Sequence, residues 1–428
     1  MPATKPCAHS SPSAVRRQVA DFYSRYPYPP PAIVTRYQRP AFALERLNLR
    51  LAAAGRPPLP PNLRIWAPGG GTTLPVQLAL HFPSASILAT DICARSLQIA
   101  AKIARSLQLT NIDFRHEDLL DSAYRGQFHL IDCAGVLNHV ARPADGFRAI
   151  RRALHPSGVA NLWVYNTRQR WLSDAWQSAL ALLGATQSAT QTNDRWTLAR
   201  HLVDWARLQP NWRRTREALG AIHPSIDPVN TADALIHPRE ISFTLAQLWS
   251  LLARSGLHFL AWREDHAWDP LNTPGLPAPL RARIATLPPL ERFQLIEALA
   301  EEDAPYFDLF AVRANPPHSP APVLPETWRP AFNPSIEFIN LRGARAVSSH
   351  HMPVLRRTED SWAAYQNGDA REKSGLWLPL TPPQARLLEQ ADGTRTVPEL
   401  LREPSSEPRR ALAAFLHRAA SSPVALLA

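Results

Sequence analysis

Three consecutive glycines, Gly69 to Gly71, end the run Arg64-Ile-Trp-Ala-Pro68, and an acidic residue, Asp91, follows 20 positions after Gly71. Glycine has no Cβ, so a backbone built from it can approach a ligand closely. A carboxylate at the end of the next apolar run is placed to accept hydrogen bonds from a ribose diol. Together these residues describe a nucleotide-type pocket at the carboxyl edge of a parallel sheet. A dinucleotide site of the G-x-G-x-x-G type needs a third glycine for close helix packing, and position 74 is leucine.

The elements that must hold this loop follow from the apolar periodicity. Ile65 to Ala67 reads as a strand and Thr72 to His81 as a helix, with Pro75 tolerated in its first turn. Ser86 to Thr90 is a second strand. Ala94 to Gln108 carries Leu97, Ala100, Ala101, Ala104 and Leu107 at helical spacing. Strands are predicted at Asn111 to Arg115 and at Phe128 to Asp132. Phe147, Ile150 and Leu154 mark a helix that stops at the breaker cluster His155-Pro-Ser-Gly158. Val159 to Tyr165 is a fifth strand. Phe243 to Gly256 reads as an amphipathic helix, Leu257 to Trp262 as a sixth strand and Tyr306 to Arg313 as a seventh. A dehydrogenase would repeat its βαβαβ half; here the pattern is a single sheet with a late antiparallel strand.

On these residues the chain resembles the class I S-adenosylmethionine-dependent methyltransferases. The resemblance implies an α/β fold: a seven-stranded, mostly parallel Rossmann-like sheet with helices on both faces. It implies S-adenosyl-L-methionine as cofactor and methyl transfer as the activity. Gly69, Gly70 and Gly71 would pass the methionine moiety, Asp91 would hold the ribose hydroxyls, and Ile92 would flank the adenine. Asp118 would accept from the adenine amine, with Leu119 beside it. Ala67 and Cys133 are the further cofactor-contacting positions. The segment Cys133-Ala-Gly-Val-Leu-Asn-His139 resembles the family's lining of the reaction centre. In it His139 is the candidate general base, since a neutral imidazole can take a proton near pH 7. Asn138 stands where relatives often have a histidine. Pro68 and Thr72 also depart from the family, which usually has glycine at the first of these positions and often at the second, so the loop must pass its ligand in a modified way. Cys133 is not flanked by proline, and neither that nucleophile nor an Asn-Pro-Pro-Tyr signature for base amino groups is present.

Around this methyltransferase domain, residues 61–313, the chain carries further segments. Residues 1–12 are expected to be disordered and 13–60 to form an N-terminal lid or cap. Tyr23, Pro27, Tyr28 and Pro29 resemble a Tyr-x-x-x-Pro-Tyr-Pro element found in similar enzymes, either as a lid over the cofactor or as a strap on the sheet. Tyr23, Tyr28 and Tyr165 are candidates to face substrate. Residues 166–240 are too long for a plain connection and are expected to roof the substrate pocket, with Leu198, Leu202, Trp205 and Leu208 as a helical stripe. A proline-rich linker at 314–335 leads to a small C-terminal α+β module at 336–428. There Leu376 to Leu380 reads as a strand, and Thr396 with Glu399 as a capping box. The module is weakly similar to small peptide-binding modules, so a peptide or protein partner is an alternative to dimerisation.

Composition narrows the classes. The chain has 428 residues, no long apolar run and no secretory signal at its start, so cytoplasmic residence without a membrane span is expected. Three scattered cysteines indicate neither a disulfide framework nor a metal site. The net charge of +11 would suit a polyanion, but only Lys5, Lys102 and Lys373 of the 47 basic residues are lysine. That points to an arginine coding bias more than to a nucleic-acid partner. The acceptor, whether small molecule, peptide or protein side chain, is not named by the sequence. The alternatives are a cofactor-binding protein without catalysis and an RNA methyltransferase.

Overall fold

The computed structural model describes residues 11–31, 44–183, 192–213, 227–263, 276–299, 306–314 and 382–402, with shorter stretches and single residues elsewhere. Residues 1–10 and most of the 314–335 linker lie outside the described residues. The first helix, α1 (Pro12–Arg25), opens the N-terminal segment one residue before position 13. Ser11 caps it by accepting from the Ala14 N–H, and proline stands in its first turn.

After α2 (Leu44–Ala53) the sheet begins: β1 (Arg64–Pro68), α3 (Leu74–His81), β2 (Ser86–Asp91), α4 (Ala94–Ser106), β3 (Ile112–His116), a 3-10 turn at Leu119–Asp121, β4 (Phe128–Ala134), α5 (Pro143–Ala153) and β5 (Leu154–Val164). The insertion follows as α6 (Trp171–Leu182), α7 (Thr192–Leu208) and α8 (Pro228–Ile236). Then come α9 (Leu245–Arg254), β6 (Leu257–Trp262), α10 (Ala278–Thr286), α11 (Pro289–Leu299) and β7 (Phe307–Arg313). The strand order is β3-β2-β1-β4-β5-β7-β6. β7 runs antiparallel to β5, while the pairs β1–β2, β1–β4, β2–β3 and β4–β5 are parallel. This is the expected seven-stranded, mostly parallel sheet.

The central strands are continuous apolar runs because both faces are covered. Ile65, Trp66 and Ala67 of β1 and Leu130, Ile131 and Cys133 of β4 have no exposed surface. The breaker cluster behaves differently from expectation. α5 ends at Ala153, and Leu154 already pairs with Phe128 in the sheet. The register then shifts so that Leu130 meets Val159, and His155 to Gly158 are taken up in a bulge. A chain irregularity that reads as a helix stop is here a strand irregularity.

In the insertion, α7 buries Arg195, Ala199, Val203 and Ala206. Leu198 and Leu202 are half-buried beside that face, while Trp205 and Leu208 are exposed. The predicted stripe is thus rotated by one residue. Ala199, Val203 and Ala206 share one buried cluster with Leu172, Trp176 and Leu180 of α6 and Ala232 and Leu235 of α8. Phe22 of α1 joins this core through its own burial among Leu172, Trp176 and Leu235.

By contact density the chain forms two interleaved units, one of residues 1–40, 59–259 and 300–314, the other of residues 41–58, 260–299 and 315–428. In the second unit Trp262 stacks on Trp268 at 4.3 Å, with Phe293 at the edge. Its later part holds a four-stranded sheet of β8 (Glu337–Asn340), β9 (Val354–Arg357), β10 (Trp362–Tyr365) and β11 (Leu378–Leu380), ordered β11-β10-β9-β8. α12 (Pro382–Glu389) and α13 (Val397–Leu400) follow, and the Thr396–Glu399 capping box is formed. Of these strands the sequence pattern indicated only the last.

Candidate functional site

The carboxyl ends of β1, β2, β4 and β5, together with α1 and the insertion, enclose a cavity of about 510 Å³. One half is built mainly from backbone. The Gly69 and Gly70 N–H groups donate to the Thr90 carbonyl at 2.7 and 3.3 Å, folding the loop onto the end of β2. Gly71 N–H donates to Asp91 Oδ2 at 3.0 Å, and Cys93 N–H to Oδ1 at 2.8 Å. Those two bonds aim the carboxylate and leave each oxygen a second lone pair. Burial nevertheless raises the Asp91 pKa, more than the N–H donors lower it. Gly71 has φ +61, and a Cβ there would overlap the Tyr28 carbonyl oxygen, so this cradle is open only to glycine.

Thr72 has a structural reason for departing from glycine. Its N–H donates to the Tyr28 carbonyl at 3.2 Å and its hydroxyl to the Pro29 carbonyl, fastening the N-terminal strap to the loop. Pro68 removes no needed donor, because Gly69 and Gly70 supply the bonds to β2. Asp118 caps the 3-10 turn through Leu120 N–H at 2.8 Å and pairs with Arg16 of α1 at 2.5 Å. Gly69, Gly70, Gly71, Asp91, Ile92, Asp118 and Leu119 all line the cavity. Ala67 and Cys133 do not. Both are sealed inside the sheet, and burial pushes the Cys133 thiol far up, so it is an inert core group. The side chains of a buried strand cannot all face its end.

The other half is built from side chains far apart in sequence. Tyr23, Tyr28, His139, Tyr165, Arg170 and Asp233 line it. The Tyr23 hydroxyl donates to Asp233 Oδ1 at 3.1 Å. Arg170 donates to both Glu240 oxygens at 2.9 and 2.6 Å, and its guanidinium lies 4.1 Å from the Tyr165 ring centre. Burial, then the Asp233 charge, pushes the Tyr28 phenol up to about 12. The same two causes, in the same order, raise Tyr23 and Tyr165. All three phenols are therefore neutral donors. Asn138 is structural: it donates to the Ile241 carbonyl at 2.5 Å and accepts from the Tyr165 N–H.

His139 Nδ1 lies 2.8 Å from the Arg239 carbonyl oxygen, which can only accept, so Nδ1 carries the hydrogen. Nε2 then keeps its lone pair, 3.4 Å from the Tyr165 hydroxyl. His237 stacks on His139 at 3.9 Å between ring centres. Its Nδ1 accepts from the Arg239 N–H at 3.1 Å, so its Nε2 bears the proton, buried without a hydrogen-bond partner among the described residues. Burial lowers both imidazole pKa values and keeps both rings neutral. His139, Asp233 and His237 each place one ligand-type atom within 4.8 Å of the others, a grouping the sequence did not indicate. A metal would need the Nε2 lone pair of His237, and the Nδ1 bond removes it. The cluster is organised to hold protons.

Sequence reasoning missed Asp233, Arg170, His237 and Glu240. One signal was present: Asp233 is a lone acid among Ala232, Ala234, Leu235 and Ile236 on a helix.

A family model described as a methyltransferase domain matches residues 61–211. An uncharacterized protein from Synechococcus sp. is 30% identical over 314 residues, covering 71% of this chain and 73% of that one. PKMT2 from Rickettsia typhi, solved in complex with AdoHcy, superposes with a TM-score of 0.57 at 13% identity, covering 88% of this chain and 73% of that one. A second structure of the same protein gives the same values. No helix among the described residues is long and apolar enough to cross a membrane. With the sheet order, the glycine cradle and Asp91 at the tip of β2, these matches show that the chain belongs to the class I S-adenosylmethionine-dependent methyltransferases.

Proposed function

We propose that this protein transfers a methyl group to an acceptor seated against Tyr23, Tyr28, Tyr165 and Asp233, with His139 as the proton-accepting group. The observation that carries this reading is one cavity that joins the glycine cradle and Asp91 to that polar wall. S-adenosylmethionine, when bound, supplies an activated methyl on sulfur, so the protein's task is proximity and alignment. Gly69 to Gly71 pass the methionine part, Asp91 accepts from the ribose hydroxyls, and Ile92, Asp118 and Leu119 border the adenine. The Rickettsia typhi structure, solved in complex with AdoHcy, supports the same ligand class here. The strap at Tyr28 and Pro29 borders the cradle, held there by the Thr72 N–H and hydroxyl.

On the acceptor side, burial holds the His139 imidazole neutral, so its Nε2 lone pair is available at neutral pH. The Arg239 carbonyl fixes the tautomer that puts that lone pair toward Tyr165 and the cavity. The Arg170–Glu240 pair, anchored behind Tyr165, holds the wall in place.

Calorimetric titration with S-adenosylhomocysteine tests the cofactor half. Saturable binding is expected in the wild type and at least a tenfold loss in Asp91→Ala. Absence of binding in the wild type would overturn the proposal. Incubating lysate fractions with labelled S-adenosylmethionine then tests turnover, expected to fall at least tenfold in His139→Gln.

A further inference from the structure

The charges at the acceptor end single out one group. Arg170 is matched by Glu240, whose side chain is fully buried against it. The two imidazoles are neutral, and the three phenols keep their protons. Arg195 is buried on α7 behind His237 and does not line the cavity. Asp233 is left as the acidic group of this wall with no salt bridge of its own among the described residues, although the Arg170 charge acts on it from a distance. It is buried at 8% exposure and receives the Tyr23 hydroxyl on one oxygen. Burial makes the charged form of such a carboxylate costly and raises its pKa, and a cation seated beside it relieves that cost. Its surroundings suit a cation too: Tyr23, Tyr28 and Tyr165 line the same cavity, and the Tyr165 ring already carries the Arg170 guanidinium over its face at 4.1 Å, as ring faces attract positive charge.

Resting on the methyltransferase reading, we infer that the acceptor is an amine that enters as its ammonium form, anchored by Asp233 and enclosed by Tyr23, Tyr28 and Tyr165. A carboxylate acceptor would meet a like charge. A phenol or alcohol would leave the anion uncompensated. Before transfer the ammonium gives one proton to His139 Nε2. The amine lone pair then forms the new N–C bond as the methyl–sulfur bond of S-adenosylmethionine breaks. The positive charge moves from sulfur to nitrogen, and the sulfur is left as a neutral thioether. Asp233 faces a cation before and after the step, so the wall stays compensated throughout.

The test uses the full chain saturated with S-adenosylhomocysteine and reads binding by calorimetry and tyrosine-ring NMR shifts. The probes are n-butylammonium, n-butanol and butyrate, which match in length and differ in charge. Butylammonium is expected to bind at least tenfold more tightly than either comparator. Asp233→Asn, a volume-conserving change, is expected to abolish that preference while S-adenosylhomocysteine affinity stays unchanged. Equal binding of butanol or butyrate to the wild type would overturn the inference, and so would an unchanged amine preference in Asp233→Asn. If S-adenosylhomocysteine itself does not bind, the methyltransferase reading fails first, so the two failures are told apart. Tyr23→Phe supplies a second variant: it frees one oxygen of Asp233 and is expected to weaken the amine preference less than Asp233→Asn.

Discussion

The two halves of the cavity are made in opposite ways. The half proposed to hold the cofactor uses backbone from Gly69 to Gly71 and one carboxylate 20 residues later, joined by hydrogen bonds between adjacent strand ends. The half proposed to seat the acceptor gathers Tyr23 from α1, His139 from the loop after β4, Tyr165 from the end of β5, and Asp233 from the insertion. Short-range construction makes the first half hard to lose except by steric intrusion. Long-range construction makes the second depend on buried polar groups whose pairing must be complete. Such groups oppose stability, and a site that retains them uses them.

Mutations can break this contrast. The largest expected effect is Glu240→Gln, which leaves Arg170 buried without its charge partner. A loss of about 3–5 kcal/mol in unfolding free energy is expected by denaturant titration. Next, Gly71→Ala places a Cβ against the Tyr28 carbonyl at a positive φ. Backbone strain and overpacking together predict ~2–4 kcal/mol, read as weaker S-adenosylhomocysteine binding. Gly126→Ala is the control, since it shares the positive φ but its Cβ would meet only Pro156 at 4.0 Å. It should cost about 1–2 kcal/mol of stability and leave ligand affinity intact.

Two pH experiments sharpen the same contrast. Burial raises the Asp233 pKa, so the folded state holds this proton more tightly than the unfolded state does. Its contribution is most favourable below the unfolded carboxyl value and is lost as pH rises through the raised folded one. Asp233→Asn should therefore be more stable than wild type at pH 7, with the gap closing toward pH 4. A denaturant midpoint lower than wild type at pH 7 would contradict this. His139 and His237 are depressed by burial, so between their folded values and the ordinary imidazole value of about 6.5 the unfolded state binds more protons. Stability should fall as pH drops below 6.5, and the slope should lessen in His237→Gln.

The course of the sheet was legible in the sequence because each of its strands carries its own period and its own breakers. The glycine cradle and Asp91 were legible for the same reason: loop, strand end and carboxylate lie within one βαβ unit. Ala67 and Cys133 were misplaced because motif position says where a residue lies along a strand, not which side chains reach its end. The α7 stripe was read one residue out, since spacing alone cannot tell which of two adjacent apolar faces packs closer. Three strands of the small sheet went unread because each is only four residues long.

The sequence by itself determined the fold class and the nucleotide-type cradle, because these rest on local periodicity and on residues close in the chain; the cofactor came with the family resemblance those residues carry. Only the tertiary structure decided that Tyr23, His139, Tyr165 and Asp233 share one wall. Their contact depends on how an insertion folds back over a sheet edge, and no spacing rule connects residues 210 positions apart, as Tyr23 and Asp233 are.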